Sequence, residues 1–569
     1  MAGRLDWTWQ EPDEAVARAM ASALKVHPLV ARVLAARGFE DPVRARTFLA
    51  PRLAELTRPD GMLDRDAAAE RLADAVRRKE RIVVFGDYDV DGTTSAALLA
   101  TSLGAMGATV TALVASRFDG GYGLSENAAT KVLDANPSLL VTCDCGTSDH
   151  PRLDALRARG IDTIVVDHHK VPDEPLPAVA FLNPHRPDCG YPFKGLASVG
   201  LALTLVGAVR AKLGVTLDLR EYLDLVAVGT IADVMPLSDD NRILTRAGLE
   251  RLGQGAARPG LKALVREARL NSGVRAHDVG FSIAPMLNAA GRLGAATPTL
   301  ELLMSRTEQE AQVRARQLAA LNERRREISG ELVETACRQV EQVFGAKIPA
   351  GIVVGGEGWH HGVGGIVAGR LTDRFGVPSV VIGFDGALGV GSARAPRGFP
   401  LYEAVKAIRH ELERFGGHDA AAGMTVRKER FEAVRDQFAA VCTTIAARGD
   451  GGLSDRIDTE LRERDLEGPL AAHLEALEPT GQAQPAPRVI VRGTTVVDSR
   501  VVGTGHLSIK LRVGSRVVRG FVRDGVARRA RGELGEGGTL DVQGILRADT
   551  YMGNGAVQID VSGARSVAH

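Results

Sequence analysis

The sequence has few cysteines, almost no net charge and no long apolar run. Five Cys among 569 residues cannot form the disulfide framework of a small secreted domain. A formal net charge of +1 gives no global sign of nucleic-acid binding, so any basic surface must be local. No segment approaches the ~20 apolar residues of a membrane span, and the start at Met1 lacks the apolar core of a signal peptide. We therefore expect a cytoplasmic protein without membrane contacts.

The chain is long enough for three or four domains, each with its own core. Residues 1–75 are predicted to be helical, with breaks at prolines. Residues 76–300 alternate apolar strands with amphipathic segments, which predicts a parallel sheet wrapped by helices. Residues 301–345 are dense in charge and free of proline, which indicates a long connecting helix. Residues 346–460 again alternate strands and helices, so the fold class is α/β, with two α/β domains joined by one helix.

Residues 480–569 differ in character. Short strand patterns separated by glycine turns predict a small C-terminal β-barrel of the OB-like type. From residue 486 onward there are 13 Lys and Arg against 7 Asp and Glu. Because Phe521 and Tyr551 are the only aromatic rings in this region, we favour contacts with the phosphate backbone over base stacking. A purely structural barrel with a solvated Arg face is the alternative.

Three carboxylates follow the first apolar strand pattern of the sheet. Asp87, Asp89 and Asp91 alternate with other residues directly after Ile82–Phe85, and a helical pattern follows at once. The helix start is placed near Thr94 and Ser95, which we interpret as capping residues. Crowded carboxylates repel one another unless a cation neutralises them, and hard divalent ions prefer such oxygen ligands. A solvated Asp-rich turn is the alternative for this motif taken alone.

Three further segments repeat the pattern of an apolar strand followed by an acid or imidazole. Their polar residues are Asp144, then the run Asp167-His168-His169, then Asp233. Successive side chains at a strand end point apart, so one imidazole can bind metal while the other meets a substrate oxygen. The carboxyl ends of parallel strands share one edge of a sheet. The sequence therefore predicts a two-metal site, of the kind that hydrolyses phosphoesters.

The motifs carrying these residues resemble a known superfamily. In order, FGDYDVDGTTS, VTCDCGTSDH, VVDHHK and GTIADVMPL are similar to the motifs of DHH phosphoesterases. Further along, APMLNAAGRL, GWHHGVGGIVA, GSAR and FGGH resemble the RecJ family of bacterial single-strand-specific DNA exonucleases. The similarity extends from about residue 80 to 425 and implies a DHH catalytic domain, then a DHHA1-like substrate-binding domain.

The resemblance implies a role for each polar residue of the site. The implied metal ligands are Asp89, Asp91, Asp144, His168 and Asp233. Asp144 would bridge two divalent ions, Mn²⁺ foremost and Mg²⁺ as the alternative. Asp87 is expected in the catalytic site, and whether it touches metal directly is open. His169 would contact the scissile phosphate or the leaving oxygen.

The resemblance also implies nucleic-acid-binding residues. Arg117 and Tyr122 lie in a Gly-rich loop of the first domain. Ser392 and Arg394 are expected in a second such loop of the other domain, and both loops would hold a terminal 5′-phosphate, which guanidinium groups bind in a bidentate manner. The remaining implied residues are Asn288, Arg292, His360, Gly416, Gly417 and His418. For each residue alone, a structural contact is the competing interpretation.

These expectations combine into one function. The chain is predicted to be a metal-dependent exonuclease that degrades single-stranded DNA from a free 5′ end to mononucleotides, in DNA repair and recombination. It would act as a monomer, with a single-strand-binding protein or a helicase as partner. One alternative is a phosphodiesterase for short oligonucleotides or cyclic dinucleotides, but such substrates need no connecting helix or barrel. The other is a non-catalytic repair scaffold, which the full set of acids and histidines argues against.

Overall fold

The structure of the protein is a computed structural model. It describes residues 7, 9, 11–270, 273–448, 456–503, 505–534, 538–549, 552 and 555–567. Tyr551, named above as a possible stacking residue, lies outside these ranges. Within them, no helix combines the length and the apolar character needed to cross a membrane.

Four helices precede the first sheet. They are α1 (Glu14–Leu24), α2 (Pro28–Ala36), α3 (Pro42–Leu49) and α4 (Arg65–Arg77). Their start points follow from local sequence: the carboxylates of Asp13 and Asp41 accept backbone N–H groups of the first turn of α1 and α3, and Pro28 and Pro42 occupy first helical positions, where a missing N–H costs nothing.

The first domain is built on a five-stranded parallel sheet. Its strands are β1 (Arg81–Gly86), β2 (Thr109–Val114), β3 (Leu139–Cys143), β4 (Asp162–Val166) and β5 (Ala180–Leu182), in the order β2-β1-β3-β4-β5. Side chains alternate between two cores: Ile82 and Val84 face one, Val83 and Phe85 the other. This alternation is why β1 is apolar from Ile82 to Phe85.

Ten helices complete this domain. They are α5 (Val90–Ala105), α6 (Glu126–Asp134), α7 (His150–Arg157), α8 (Ser198–Leu213), α9 (Leu223–Ala232), α10 (Asp239–Gly253), α11 (Pro259–Glu267), α12 (Ala276–Asp278), α13 (Ala284–Leu293) and α14 (Thr297–Leu303). A short π-helical segment, Val279–Ile283, joins α12 to α13.

Two local expectations were wrong. The apolar segment from Val226 to Asp233 is helix α9, not a strand, and Asp233 is its C-terminal cap. A continuous apolar run fits a helix buried on all sides as well as a buried strand. Helix α5 begins at Val90 with Asp89 as its cap, whose carboxylate accepts the N–H of Gly92 at 3.0 Å. Thr94 therefore lies inside the helix and does not cap it.

A single helix connects the two α/β domains. It is α15, which spans Glu308–Phe344, or 37 residues.

The second sheet contains β6 (Ile352–Glu357), β7 (Ser379–Asp385), β8 (Leu388–Arg394), β9 (Arg414–His418) and β10 (Ala421–Arg427), in the order β6-β7-β8-β10-β9. It is packed by α16 (His361–Phe375), α17 (Leu401–Ala407) and α18 (Phe431–Ala447). Ser392 and Arg394 were expected in a loop, but they lie within β8, because the apolar alternation of this strand is masked by its glycines.

The C-terminal region is a closed barrel. Its elements are β11 (Thr459–Glu460), α19 (Leu470–Glu475), β12 (Arg488–Val502), β13 (His506–Val513), β14 (Arg516–Val522), α20 (Gly525–Ala530), β15 (Leu540–Ala548) and β16 (Val557–Ser566). The sheet order is β11-β12-β13-β14-β16-β15, and pairing of β12 with β15 closes it. The expected architecture, two α/β domains, a long helix and an OB-like barrel, is confirmed.

The N-terminal helices and the barrel share one hydrophobic core. A buried ion pair crosses the same boundary, with Arg32 Nη2 2.7 Å from Asp465 Oδ2. Arg242 of α10 then ties this unit to the first domain. Its guanidinium is buried and donates to the carbonyl oxygens of Phe48, Leu477, Glu478 and Pro479. The catalytic half and the barrel are therefore held together by specific buried contacts.

Candidate metal centre and nucleic-acid cleft

Acids and histidines meet at the carboxyl edge of the first sheet. Strand β1 leads to Asp87 and Asp89, β3 to Asp144, and β4 to the Asp167-His168-His169 run, while α9 delivers Asp233 to the same place. The backbone at Asp144 has φ of +61°, a conformation that non-glycine residues rarely adopt. Such a turn persists only where the surrounding structure fixes it, as is common at functional sites.

The ligand atoms form three overlapping groups. Within each group all atoms lie within 4.8 Å of one another. The groups are Asp91, His168 and Asp233; Asp87, Asp89 and Asp144; and Asp144, His168 and His169. His168 Nε2 lies 3.2 Å from Asp144 Oδ1 and 3.4 Å from Asp233 Oδ2. Asp144 and His168 are each shared by two groups, so the geometry suits two adjacent cations with a common ligand.

The donors fit hard divalent cations. Asp91 is fully buried and is fixed by the backbone N–H groups of Ser198 and Val199, at 2.7 and 3.0 Å. Oδ2 of Asp233 is buried yet accepts no hydrogen bond from any described residue, and a buried oxygen without a partner suits the role of a metal ligand. Carboxylate oxygens with one or two imidazoles match Mn²⁺ or Mg²⁺ better than softer metals.

The electrostatics agree with this assignment. Burial, and then the neighbouring Asp89, raises the pKa of Asp91 to about 7. Burial, followed by Asp91, raises the pKa of Asp233 to about 8, and burial raises the pKa of Asp144 well above its usual range. Burial and His169 together lower the pKa of His168 to about 4, which keeps its imidazole neutral, as a metal ligand must be. Bound divalent cations would supply the positive charge that lets these carboxylates ionise together.

Asp167 is a functional residue whose role the sequence interpretation missed. Its Oδ1 accepts from His169 Nδ1 at 2.7 Å and from the backbone N–H of His168 at 2.8 Å. Its Oδ2 accepts from the hydroxyl of Thr147 at 2.6 Å. Burial opposes ionisation of Asp167, but these hydrogen bonds, led by that of His169, hold its pKa below the usual value. The sequence did contain a signal for this role, since an Asp at a strand end directly before two histidines is placed to orient them.

Tyr122, expected to bind nucleic acid, lies beside the metal centre. Its hydroxyl is 3.0 Å from His169 Nδ1 and 3.1 Å from the carbonyl oxygen of Asp144. Burial lowers the pKa of His169, but the hydrogen bond to Asp167 and the negative charges of Asp167, Asp233 and Asp89 together raise it to about 9. Asp167 and Tyr122 both occupy the Nδ1 side of His169, which leaves its Nε2 directed away from them.

Four arginines from four segments of the fold gather beside the metal centre. We call Arg117, Arg292, Arg325 and Arg394 the arginine cluster. Burial, and then Arg117, Arg325 and Arg394 in turn, lowers the pKa of Arg292 to about 10. Among the described residues, no carboxylate forms a salt bridge with any of the four. An unneutralised group of guanidiniums is the electrostatic signature of an anion site.

The first domain supplies two of these side chains. The guanidinium of Arg117 lies 4.2 Å from the centre of the Tyr88 ring, and its Nε is buried without a hydrogen-bond partner in the described part of the chain. Arg292 Nη1 donates to the carbonyl oxygen of Gly362 in the second domain, at 3.2 Å. Because Arg117 stacks on Tyr88 and Arg292 donates to one carbonyl oxygen, most N–H groups of both guanidiniums remain available to a ligand.

The second domain places Ser392 and Arg394 against helix α16. A Cβ on Gly365 would lie 2.8 Å from Arg394 Nη2, and one on Gly364 would lie 3.7 Å from Ser392 Oγ. Glycine at position 365 therefore makes room for the guanidinium. Arg394 Nη1 donates to the carbonyl oxygen of Ala393 at 2.7 Å, which fixes the direction of the side chain.

His360 lies at the junction of the two domains. Its Nδ1 accepts the N–H of Gly362 at 3.2 Å and so caps helix α16. The ring of Phe118, next to Arg117, lies 5.8 Å from His360 and 4.9 Å from His361. These rings form one wall of the cleft between the domains.

The other expected binding residues are less closely tied to the cluster. Asn288 lies on α13, one turn before Arg292, and its side chain makes no hydrogen bond with the described residues. Gly416, Gly417 and His418 are exposed on β9, the edge strand of the second sheet. Gly416 pairs with Gly423, which pairs with Ser392, so two strand spacings, roughly 10 Å, separate Gly416 from Ser392.

Three family models match the chain in order and define its class. The first, "DHH family, N-terminal domain", matches residues 81–230. The second is the DHHA1 domain, at residues 339–444, and the third is the RecJ OB domain, at residues 457–563. The protein is thus of the DHH class, with the catalytic and DHHA1 domains that the motifs implied.

Relatives narrow the class to one family. The single-stranded-DNA-specific exonuclease RecJ of Escherichia coli (strain K12) is 34% identical over 94% of this chain and 95% of its own length. RecJ of Bacillus subtilis (strain 168) is 36% identical over 90% of this chain, and the match spans 65% of that protein. The crystal structure of RecJ from Thermus thermophilus in complex with Mn²⁺ matches with a TM-score of 0.84 and 30% identity, over 100% of this chain and 81% of that one. The chain belongs to the RecJ family, and the resemblance inferred from its motifs is confirmed.

Proposed function

We propose that this protein is a divalent-metal-dependent exonuclease that degrades single-stranded DNA from its 5′ end to mononucleotides, in DNA repair and recombination. One observation carries the proposal: overlapping cation-ligand groups lie beside an arginine cluster that has no acidic partner among the described residues. The first arrangement suits phosphodiester hydrolysis, and the second suits a substrate rich in phosphate. The names of the relatives, single-stranded-DNA-specific exonucleases, support the same substrate.

The metal ligands in this proposal are Asp89, Asp91, Asp144, His168 and Asp233, with Asp144 as the shared ligand. The overlapping groups support the set, and Asp87 joins Asp89 and Asp144 in one of them, so we add it as a direct ligand. Mn²⁺ is the favoured cation and Mg²⁺ the alternative, in line with relatives crystallised with each. Bound there, the cations supply the Lewis acidity for attack on a phosphodiester.

His169 acts on the substrate in this scheme. Asp167 and Tyr122 hold its Nδ1 side, so Nε2 is the atom that faces the cleft. A held imidazole at this position can donate a hydrogen bond to an oxygen of the scissile phosphate or to the leaving oxygen. Asp167 is a positioning residue, because it acts through the ring of His169.

The arginine cluster sets the direction of degradation. A terminal phosphate carries roughly −1.5 to −2 at neutral pH, more than an internal diester, so converging guanidiniums distinguish the chain end. Arg117, Ser392 and Arg394 are proposed to bind this phosphate, with Arg292 and Asn288 nearer the scissile bond. Because both α/β domains supply residues of this proposed site, the cleft between them would bind one strand end.

The strand continues away from the metal centre along the second domain and the barrel. Gly416, Gly417 and His418 provide an exposed edge without bulky side chains, and His360 borders the cleft. Much of the basic excess of the barrel is already paired, as in Arg516–Glu467 and Arg565–Asp541. We therefore assign the barrel a moderate, salt-sensitive role in holding the strand.

The domain limits expected from sequence were residues 76–300 for the catalytic, 346–460 for the substrate-binding and 480–569 for the nucleic-acid-binding domain. We keep the first and place the boundary between the other two at about residue 457, because β11 and α19 belong to the barrel. We also infer a cytoplasmic monomer that works on DNA bound by a single-strand-binding protein or opened by a helicase.

The proposal is tested with oligonucleotides labelled at either end, single-stranded or blunt duplex, in Mn²⁺ or in chelator. We expect a 5′ label to be released at once as a mononucleotide, a 3′ label to appear in progressively shorter strands, and chelator to abolish both. Blunt duplexes should be degraded much more slowly, because the cleft is narrowed where Phe118 approaches His361. Release of the 3′ label first, or a preference for dinucleotides over long strands, would refute it.

A further inference from the structure

The connecting helix α15 carries three consecutive arginines with different surroundings. Arg324 pairs with Glu327, Nη1 to Oε2, at 2.9 Å, and Arg326 pairs with Glu323 at 3.5 Å. Arg325 has no ion pair among the described residues, although its Nε is buried without a hydrogen-bond partner there. Surface arginines of a connecting helix are normally paired or solvated, so Arg325 differs from both of its neighbours.

Arg325 lies near arginines of both α/β domains, Arg292 on α13 and Arg370 on α16. Helix α15 packs against both α13, which carries Arg292, and α16, whose Gly365 adjoins Arg394. Asn322, one turn earlier on the same face, is 4% exposed, and its Oδ1 has no partner among the described residues. The connecting helix therefore carries two buried polar atoms, Asn322 Oδ1 and Arg325 Nε, that no described residue satisfies.

The charges around Arg325 are almost all positive. Burial, then Arg326 and Arg370, lowers the pKa of Arg325, and Arg325 in turn lowers that of Arg292. The acid that acts on it is Glu323, which already contacts Arg326. Four guanidiniums exceed the charge of one terminal phosphate, roughly −1.5 to −2, so the arginine cluster matches a terminal phosphate together with the next phosphodiester.

We propose that Arg325 is a substrate-binding residue that contacts the first phosphates of the DNA strand, so that the connecting helix takes part in substrate recognition. The inference rests on the proposed exonuclease function and adds a residue and a structural element to it. The guanidinium would donate its free N–H groups to phosphate oxygens. Its position between α13 and α16 places this contact where both domains meet the strand.

The test measures binding and stability of the full chain, apart from hydrolysis. A fluorescent 5′-phosphorylated single strand is titrated in chelator at several salt concentrations, with wild type, Arg325→Ala, Arg325→Lys and the matched control Arg326→Ala. Loss of a charge-assisted hydrogen bond predicts about a ten- to hundredfold weaker Kd for Arg325→Ala. The slope of log K against log salt should fall by about 0.7. Arg325→Lys should keep most of that slope while losing part of the affinity, and Arg326→Ala should resemble wild type.

Thermal unfolding separates this role from a structural one. Removing an unpaired, half-buried charge from a group of like charges should leave the Tm of the free protein unchanged or higher. A lower Tm with unchanged DNA affinity of the folded protein would overturn the proposal in favour of a structural role. Equal affinities for Arg325→Ala and Arg326→Ala would overturn it as well. If wild type itself neither binds nor degrades single strands, the proposed function fails. If wild type is active and Arg325→Ala binds DNA as tightly as wild type, this inference alone is refuted.

Discussion

Replacing Asp167 by Asn tests how the metal centre holds its histidines. The change keeps the size of the side chain and an oxygen that can accept from His168 N–H and His169 Nδ1. It removes the negative charge and places an NH₂ group opposite the N–H of Thr147, which now donates to Oδ2 at 3.2 Å. Asp167 belongs to none of the ligand groups, so the cation ligands themselves stay in place.

The size of the effect follows from the hydrogen bond between Asp167 and His169. This bond, at 2.7 Å, is charge-assisted and contributes about 1.5–3 kcal/mol, against ~1 kcal/mol for a neutral pair. In Asp167→Asn this hydrogen bond is neutral and therefore weaker, so the ring of His169 can rotate and its Nε2 atom is misplaced. Groups that orient metal-site residues typically account for about 10–100-fold in activity or metal affinity. We expect kcat to fall within that range and KM for DNA to change little.

The assay compares single-strand degradation as a function of Mn²⁺ concentration for wild type and Asp167→Asn. Asp224→Asn is the control, because Asp224 is equally buried in the same domain but pairs with Arg258, away from the site. The control should lose stability yet keep kcat per folded molecule. Full kcat and an unchanged Mn²⁺ requirement in Asp167→Asn would refute the positioning role.

Three further changes have defined outcomes. Asp144→Ala should abolish degradation at any Mn²⁺ concentration while the far-UV circular dichroism spectrum is kept, and near-normal rates would exclude it as the shared ligand. Arg394→Ala should slow degradation of 5′-phosphorylated strands about ten- to hundredfold but barely affect 5′-hydroxyl strands, and an equal effect on both would place end recognition elsewhere. Arg242→Ala leaves several buried carbonyl groups without donors and should lower the free energy of unfolding by about 3–5 kcal/mol, measured by urea denaturation. An unchanged midpoint would show that the junction it spans does not depend on that residue.

The sequence predicted the site better where a strand delivers the residue than where a helix does. Asp87, Asp89 and Asp144 follow buried strands that are recognisable from their apolar runs. Because the carboxyl ends of parallel strands share one edge of the sheet, it could be inferred that these residues lie together. Asp233 reaches the same point from the end of α9, and the apolar run before it gave no period to tell helix from strand. The motif implied that Asp233 belongs to the site, but the predicted strand before it was wrong.

Residues whose role depends on a partner far away in sequence were harder to predict. Arg324 to Arg326 form one charge-dense run, and only the packing of α15 between two domains separates Arg325 from its paired neighbours. Ser392 and Arg394 lie in a strand that glycines made look like a loop. Tyr122 was expected to bind nucleic acid, and its hydrogen bond to His169, 47 positions away in sequence, could not be inferred from its Gly-rich loop.

The shared core of the N-terminal helices and the barrel has a consequence for biosynthesis. Arg32 hydrogen-bonds to Thr459, 427 positions further along the chain, and apolar residues of the first three helices pack on strands made later still. At ~5–20 residues per second, the ribosome needs roughly 20–85 s to reach Thr459 after Arg32, and longer to supply those strands. During that interval the nascent helices expose an apolar face while the catalytic domain emerges and folds beside them. These helices are therefore translated long before the strands that complete their core, and they reach their native environment only after the barrel has been made.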